Sequence, residues 1–285
     1  MVRKFIFDTD WFTDCDDCVA LRFLARNLDG EHRLLGVNVN VDTPYSYASV
    51  CAFLKNEGVV CPVAVDKNGI YDGETRYQKN MAAAAPNFND SSLSAPTSLD
   101  FYKKLLEEND EVEILSVGFL NSLAAVLKAY PKLVEKIKTV WCMGGDWSKQ
   151  GGREYNFSCD GNERAIAASR FIVNEAACKQ VFLGVEVGAS VLTGGDLPKD
   201  DMLGRAMFDW GAEHGRSSWD PMLVMAAFDD KFKGAFELVT GRATVDENGC
   251  NYFEKQNTGE QAYVVKRLPD SYYEETINGY LKERM

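Results

Sequence analysis

Phe5-Ile6-Phe7-Asp8-Thr9-Asp10-Trp11-Phe12-Thr13-Asp14-Cys15-Asp16-Asp17-Cys18-Val19-Ala20-Leu21 reads as an apolar strand, an acidic turn and the start of an apolar-periodic helix. Five of the ten residues from Asp8 to Asp17 are aspartates. A fold that gathers so many carboxylates must offset their repulsion. A divalent cation does this most simply, because hard cations take oxygen ligands. Asp8 and Asp10 share a parity and leave the strand on one side. Asp16 and Asp17 open the next helix, where the helix dipole favours carboxylates. The turn lies at the carboxyl end of a strand, where open α/β sheets bind ligands.

Outward from this stretch, strand and helix patterns alternate. Strands are expected over 3–8, 33–39, 60–65, 112–117, 137–142 and 179–185, all rich in Val, Ile, Leu or Phe. Helices are expected over 16–28, 46–57, 97–109, 120–129, 161–175, 199–213 and 271–283. Such alternation implies an α/β fold: an open, mostly parallel, Rossmann-like sheet with helices on both faces and the active site at the carboxyl ends of the strands. Residues 66–96 and 144–153 read as loops, the second holding Gly144, Gly145, Gly151 and Gly152. Long loops at the mouth of a sheet often act as lids. With no repeat and no linker, residues 1–285 are expected to form one domain.

The formal net charge of −12 argues against a nucleic-acid partner, since backbone binding wants stripes of Lys and Arg. No basic segment followed by an apolar core opens the chain, and no apolar run reaches the ~18 residues of a membrane span. A cytoplasmic protein without a membrane partner is expected. The eight cysteines are scattered, several in strand-like runs, and read as reduced buried thiols. Cys15 and Cys18 have CxxC spacing, but the aspartates around them raise rather than lower a thiol pKa.

The acidic stretch also resembles a known signature. Asp8-Thr9-Asp10 with Asp14-Cys15-Asp16-Asp17-Cys18-Val19-Ala20-Leu21 is similar to the amino-terminal motif of the inosine-uridine nucleoside hydrolase family, in the variant with extra loop residues before the paired aspartates. Further blocks follow in the family's order. They are Leu34-Leu35-Gly36-Val37-Asn38-Val39-Asn40, Ser116-Val117-Gly118-Phe119-Leu120-Asn121, Val140-Trp141-Cys142-Met143-Gly144-Gly145, Glu154-Tyr155-Asn156-Phe157 and Trp219-Asp220-Pro221.

This resemblance implies hydrolysis of the N-glycosidic bond of a ribonucleoside through an oxocarbenium-like state. It implies one bound Ca2+, with Asp10, Asp17 and Asp220 matching its carboxylate ligands and Val117 the residue that offers a backbone carbonyl. Asp10 also matches the general base. Asp16, Asn40, Glu154 and Asn156 match positions that contact ribose. The family forms dimers and tetramers, so a homodimer or homotetramer is expected.

Three departures bear on substrate. Several family members carry a protonating histidine where this chain has Trp219, and indole donates no useful proton. Trp219 is instead expected to stack on the base, in the sense of a cation–π contact with a protonated purine. Tyr71 or Tyr77 is a candidate second aromatic wall. His32 is expected at the surface, and His214 offers a distant alternative near the base. The 66–96 loop lacks the His-Gly-rich pattern of better-known members. Trp11-Phe12-Thr13 stands where the family usually carries a glycine.

Other readings remain open on the residues. One is a non-catalytic nucleoside or ribose sensor on the same fold. Another is a magnesium-dependent phosphohydrolase of the haloacid dehalogenase kind, which also begins with a strand and an Asp-x-Asp turn. A third is an enzyme for a modified nucleoside or another N- or O-riboside.

Overall fold

The computed structural model describes residues 2–12, 14–70, 75–84 and 95–282. β1 (Arg3–Thr9) leads into the acidic turn, and the helix Asp16–Asn27 follows. β2 (His32–Val39), β3 (Val63–Val65), β4 (Val112–Ser116), β5 (Ile137–Met143), β6 (Gly152–Arg153) and β7 (Lys179–Leu183) come next. β8 (Leu192–Thr193) and β9 (Arg216–Ser217) pair with each other, and β10 (Phe236–Val245), β11 (Cys250–Lys255) and β12 (Gln261–Lys266) complete the strands.

The large sheet has the order β3-β2-β1-β4-β5-β7-β12-β10-β11-β6. Neighbours from β3 to β12 are parallel, and β10, β11 and β6 are added antiparallel. The expected sheet is therefore present, with an antiparallel extension that its sequence pattern did not disclose. Strand order reverses at β1, whose neighbours are β2 on one side and β4 on the other. A switch point of this kind opens a crevice at the carboxyl ends of the strands. Asp10 follows β1 and Val117 follows β4, so both border that crevice, and Asn40 follows β2 just behind it.

Both faces are covered, which is why the central strands are apolar throughout. Phe5 and Phe7 of β1 pack with the helices Asp16–Asn27, Ser46–Asn56, Trp219–Ala227 and Asp270–Lys282. Ile6 of the same strand faces the other way, towards the helices Ser98–Glu108, Asn121–Ala129 and Glu163–Glu175. This is the period-2 alternation of a strand, sandwiched between two apolar layers.

Several expectations need correction. The strand over 60–65 shrinks to β3, because Val60 is 99% exposed. The helix over 199–213 is Met202–Trp210, capped by Asp201 and ended by Gly211 in the left-handed region at φ 92°. The loop over 66–96 contains the helix Arg76–Ala83, held by a capping box between Thr75 and Gln78. His32 is buried rather than at the surface. Its Nδ1 lies 2.8 Å from Asp29, its Nε2 lies 2.9 Å from Asp230, and its ring stacks on Phe228. All eight cysteines are free thiols. No helix among the described residues is long and apolar enough to cross a membrane.

Candidate active site

Asp8, the first aspartate, does not face the crevice. Its carboxylate accepts hydrogen bonds from Tyr102 Oη, from Asn38 Nδ2 at 3.1 Å and from Asn40 Nδ2 at 2.6 Å. Burial nevertheless pushes it up to about 7, against the pull of those three donors. The second aspartate, Asp10, lines the crevice itself.

Between Asp10 and the paired aspartates the chain must turn sharply. Trp11 adopts φ 52°, a left-handed conformation that glycine reaches freely and tryptophan does not. Its amide donates to Thr9 Oγ1 at 3.1 Å and to Asp17 Oδ1 at 3.2 Å. Its fully buried indole donates to Ser49 and meets Phe53 edge-on. Tertiary packing thus supports here the turn for which the related family usually carries a glycine.

Two helix starts converge on the acidic turn. Asp16 and Asp17 open one helix, and Asp220 sits in the first turn of the helix Trp219–Ala227. The Asp220 amide donates to Asp16 Oδ2 at 3.1 Å, and Thr9 Oγ1 donates to Asp17. Carboxylate oxygens of Asp16, Asp17 and Asp220 all lie within 4.8 Å of one another, and all three residues are buried. Burial first, and the neighbouring aspartates second, raise all three far above the usual carboxylate range. Three desolvated carboxylates at such distances are a site for a positive charge. Oxygen-only donors favour a hard divalent cation over a softer metal, so the residues present fit one.

The cavity above them measures about 390 Å³. Asp10, Asp14, Asp16, Asp17, Val117 and Asp220 form its acidic side. Glu154 and Asn156 form another wall. Glu154 caps the short helix Tyr155–Ser158, accepting from the amides of Asn156 at 2.8 Å, Gly145 at 3.0 Å and Phe157 at 3.3 Å. Burial still lifts it to about 7. Asn156 Nδ2 donates to the carbonyls of Val117 at 3.2 Å and Met143 at 3.1 Å. One lone pair of the Val117 oxygen remains for another partner.

Eight of the nine residues picked from the sequence line this cavity: Asp10, Asp16, Asp17, Val117, Glu154, Asn156, Trp219 and Asp220. Asn40 lies behind it, with Nδ2 committed to Asp8 and a buried Oδ1 that has no hydrogen-bond partner among the described residues. The candidate second walls differ. Tyr77 is buried, donates to the Asp14 carbonyl at 2.9 Å and packs edge-on against Trp210. Trp210 and Tyr155 are the aromatics that reach the cavity beside Trp219. Tyr71 falls outside the described residues. His214 points to solvent beside Asp196, away from the site.

Arg153, Arg216 and Trp210 also line the cavity and carried no signal in the sequence, while Met143, another lining residue, lies in the block quoted for the family resemblance. Arg216 sits 202 residues from its partner Asp14, so no local spacing could have joined them.

A model of the inosine-uridine preferring nucleoside hydrolase family matches residues 5–270. The chain belongs to that family. It is accordingly a ribonucleoside N-glycosyl hydrolase, and the phosphohydrolase alternative is set aside. No curated protein matches the chain. Among solved structures, the fold is similar to an inosine-uridine preferring nucleoside hydrolase from Bacillus anthracis, with TM-score 0.71 and 16% identity over 98% of both chains. It is also similar to a plant nucleoside hydrolase, with TM-score 0.72 and 18% identity over the whole of both chains. A purine-preferring ribonucleoside hydrolase from Gardnerella vaginalis gives TM-score 0.66 and 16% identity, covering 98% of this chain and 99% of that one. At these identities the likeness speaks for the fold alone.

Proposed function

We propose that this family member hydrolyses purine ribonucleosides to free base and ribose, with one Ca2+ held by Asp10, Asp17, Asp220 and the Val117 carbonyl. The observation that carries the reading is the buried trio Asp16, Asp17 and Asp220 on the floor of a nucleoside-sized cavity that Asp10 also lines. When bound, such an ion supplies Lewis acidity and a fixed positive charge for hydroxyl oxygens. The protein residues do the rest. Asp10 accepts the proton of the attacking water. Asp16, Glu154 and Asn156 hold the ribose hydroxyls, which fixes C1′ against that water, while Asn40, behind the cavity, braces Asp8 rather than meeting the sugar. The surrounding carboxylates stabilise positive charge as it develops on the sugar.

Purine preference is supported by the aromatic walls, Trp219 and Trp210, which offer flat apolar surface to a two-ring base. We read residues 1–285 as one such unit, since the large sheet draws strands from residue 3 to residue 266. A cytoplasmic homodimer or homotetramer completes the proposal.

A reducing-sugar assay for ribose released from inosine, adenosine, guanosine, uridine and cytidine tests it. Release from the three purine nucleosides ahead of the two pyrimidine ones is expected. Equal rates would remove the purine preference. No release from any of them, in protein that binds calcium, would favour the sensor or an unusual riboside.

A further inference from the structure

A hydrolase of this kind must deal with the departing base, and the cavity contains no histidine among its lining residues. What stands there is Arg216, placed by the short pairing of β9 with β8. Its Nε lies 2.9 Å and its Nη2 2.5 Å from Asp14 Oδ2, a two-pronged ion pair. Asp14 is itself fixed. Its Oδ1 accepts from the Cys15 amide at 2.7 Å, and its carbonyl accepts from Tyr77. The guanidinium carbon lies 5.2 Å from the Trp219 ring centroid. Trp219 is pinned by its indole N–H, which donates to the Val185 carbonyl at 2.7 Å. An arginine cation is thus seated on this indole.

Nη1 makes no hydrogen bond among the described residues, and the side chain is about one-third exposed on the cavity wall. It is a rigidly held donor with free N–H groups. An arginine does not deprotonate in proteins, so it cannot act as the acid.

We propose that Arg216 meets the leaving base and stabilises it as an anion, with Asp14 and Trp219 as its positioning residues. This rests on the hydrolase reading above. The C1′–N bond breaks with its electron pair staying on the base nitrogen. Arg216 Nη1 donates a hydrogen bond to the base as negative charge develops. Water adds its oxygen to C1′ and gives a proton to Asp10, and the released base later takes a proton from solvent. The substrates favoured are ribosides of acidic bases with a carbonyl acceptor. The 6-oxopurines come first, since guanidinium donors match their O6 and N7 acceptors.

The test compares kcat for adenosine, inosine and 4-nitrophenyl riboside in the wild-type protein, Arg216→Met and Arg216→Lys. Nitrophenolate leaves without assistance. Arg216→Met is expected to lower kcat on inosine roughly a hundredfold, as loss of one oxyanion donor does, while leaving the nitrophenyl riboside nearly unchanged. Arg216→Lys keeps the charge and recovers part of the loss, which also guards against a folding defect in the methionine variant. An equal loss on all three substrates, or no loss on inosine, overturns the proposal. Failure of the wild-type protein to release ribose from any of the three substrates would instead overturn the hydrolase reading, and this inference with it.

Discussion

Asp10 carries the heaviest chemical duty proposed for any side chain in the cavity. Asp10→Asn keeps its shape and removes its basicity, so kcat should fall by about 10²–10⁴. Thermal melts should be little changed, and turnover at the wild-type rate would reject Asp10 as the base. Glu154 allows a test without substrate. Its pKa is raised from 4.5 to about 7 by burial, so the folded protein prefers it protonated. The stability this contributes is full below pH 4.5 and is lost as pH rises through about 7. In chelated protein, the wild type should lose on the order of 3 kcal/mol more than Glu154→Gln between those limits. A constant difference between the two across the window contradicts it. The acidic turn from Asp8 to Asp17 was legible in the letters themselves because so many carboxylates beside an apolar strand have few structural uses, whereas Glu154, Asn156 and Asp220 were picked out only through the family resemblance. Arg216 was not legible, because its meaning comes only from Asp14 and Trp219, which folding brings to it.

Strand ends and helix starts do most of the placing. The turn after β4 brings Gly118 against Asp10 so closely that an added Cβ would meet the Asp10 amide nitrogen at 2.5 Å and Asn40 Nδ2 at 2.9 Å. Gly118→Ala must therefore displace the proposed base. A kcat loss of about a hundredfold is expected, the scale of a 1 Å misplacement, with circular dichroism unchanged. Unaltered kcat in a folded variant would show that this contact does not set the position of Asp10. Elements with clear periodicity or continuous apolar character were visible in the sequence. The helix Trp219–Ala227 was hidden because it is buried all round from Asp220 onwards and has no polar face to mark a period. β10 and β11 were hidden for the opposite reason. Much of both strands is exposed or half-buried, with Glu237, Arg242, Glu254 and Lys255 among their residues, so no strand pattern stood out there.

At the scale of the whole molecule, the parallel sheet was readable because each central strand is covered on both faces, and burial writes itself into composition. The antiparallel extension was not, since an open edge leaves a weaker imprint. The sheet's switch point then gathers Asp10, Asp17, Val117 and Asp220 from segments as distant as the first helix and residue 220. Such a site couples metal to folding. Calcium at a hundred times its Kd should stabilise the chelated protein by about 2.7 kcal/mol if it binds only the folded state, read as a rise in Tm. The most direct measurement is the rate of ribose release from inosine against free calcium concentration, beginning from fully chelated protein. The proposed function predicts no release in chelator and a saturable recovery as calcium is restored. Full turnover in chelator, unchanged by added calcium, would contradict it.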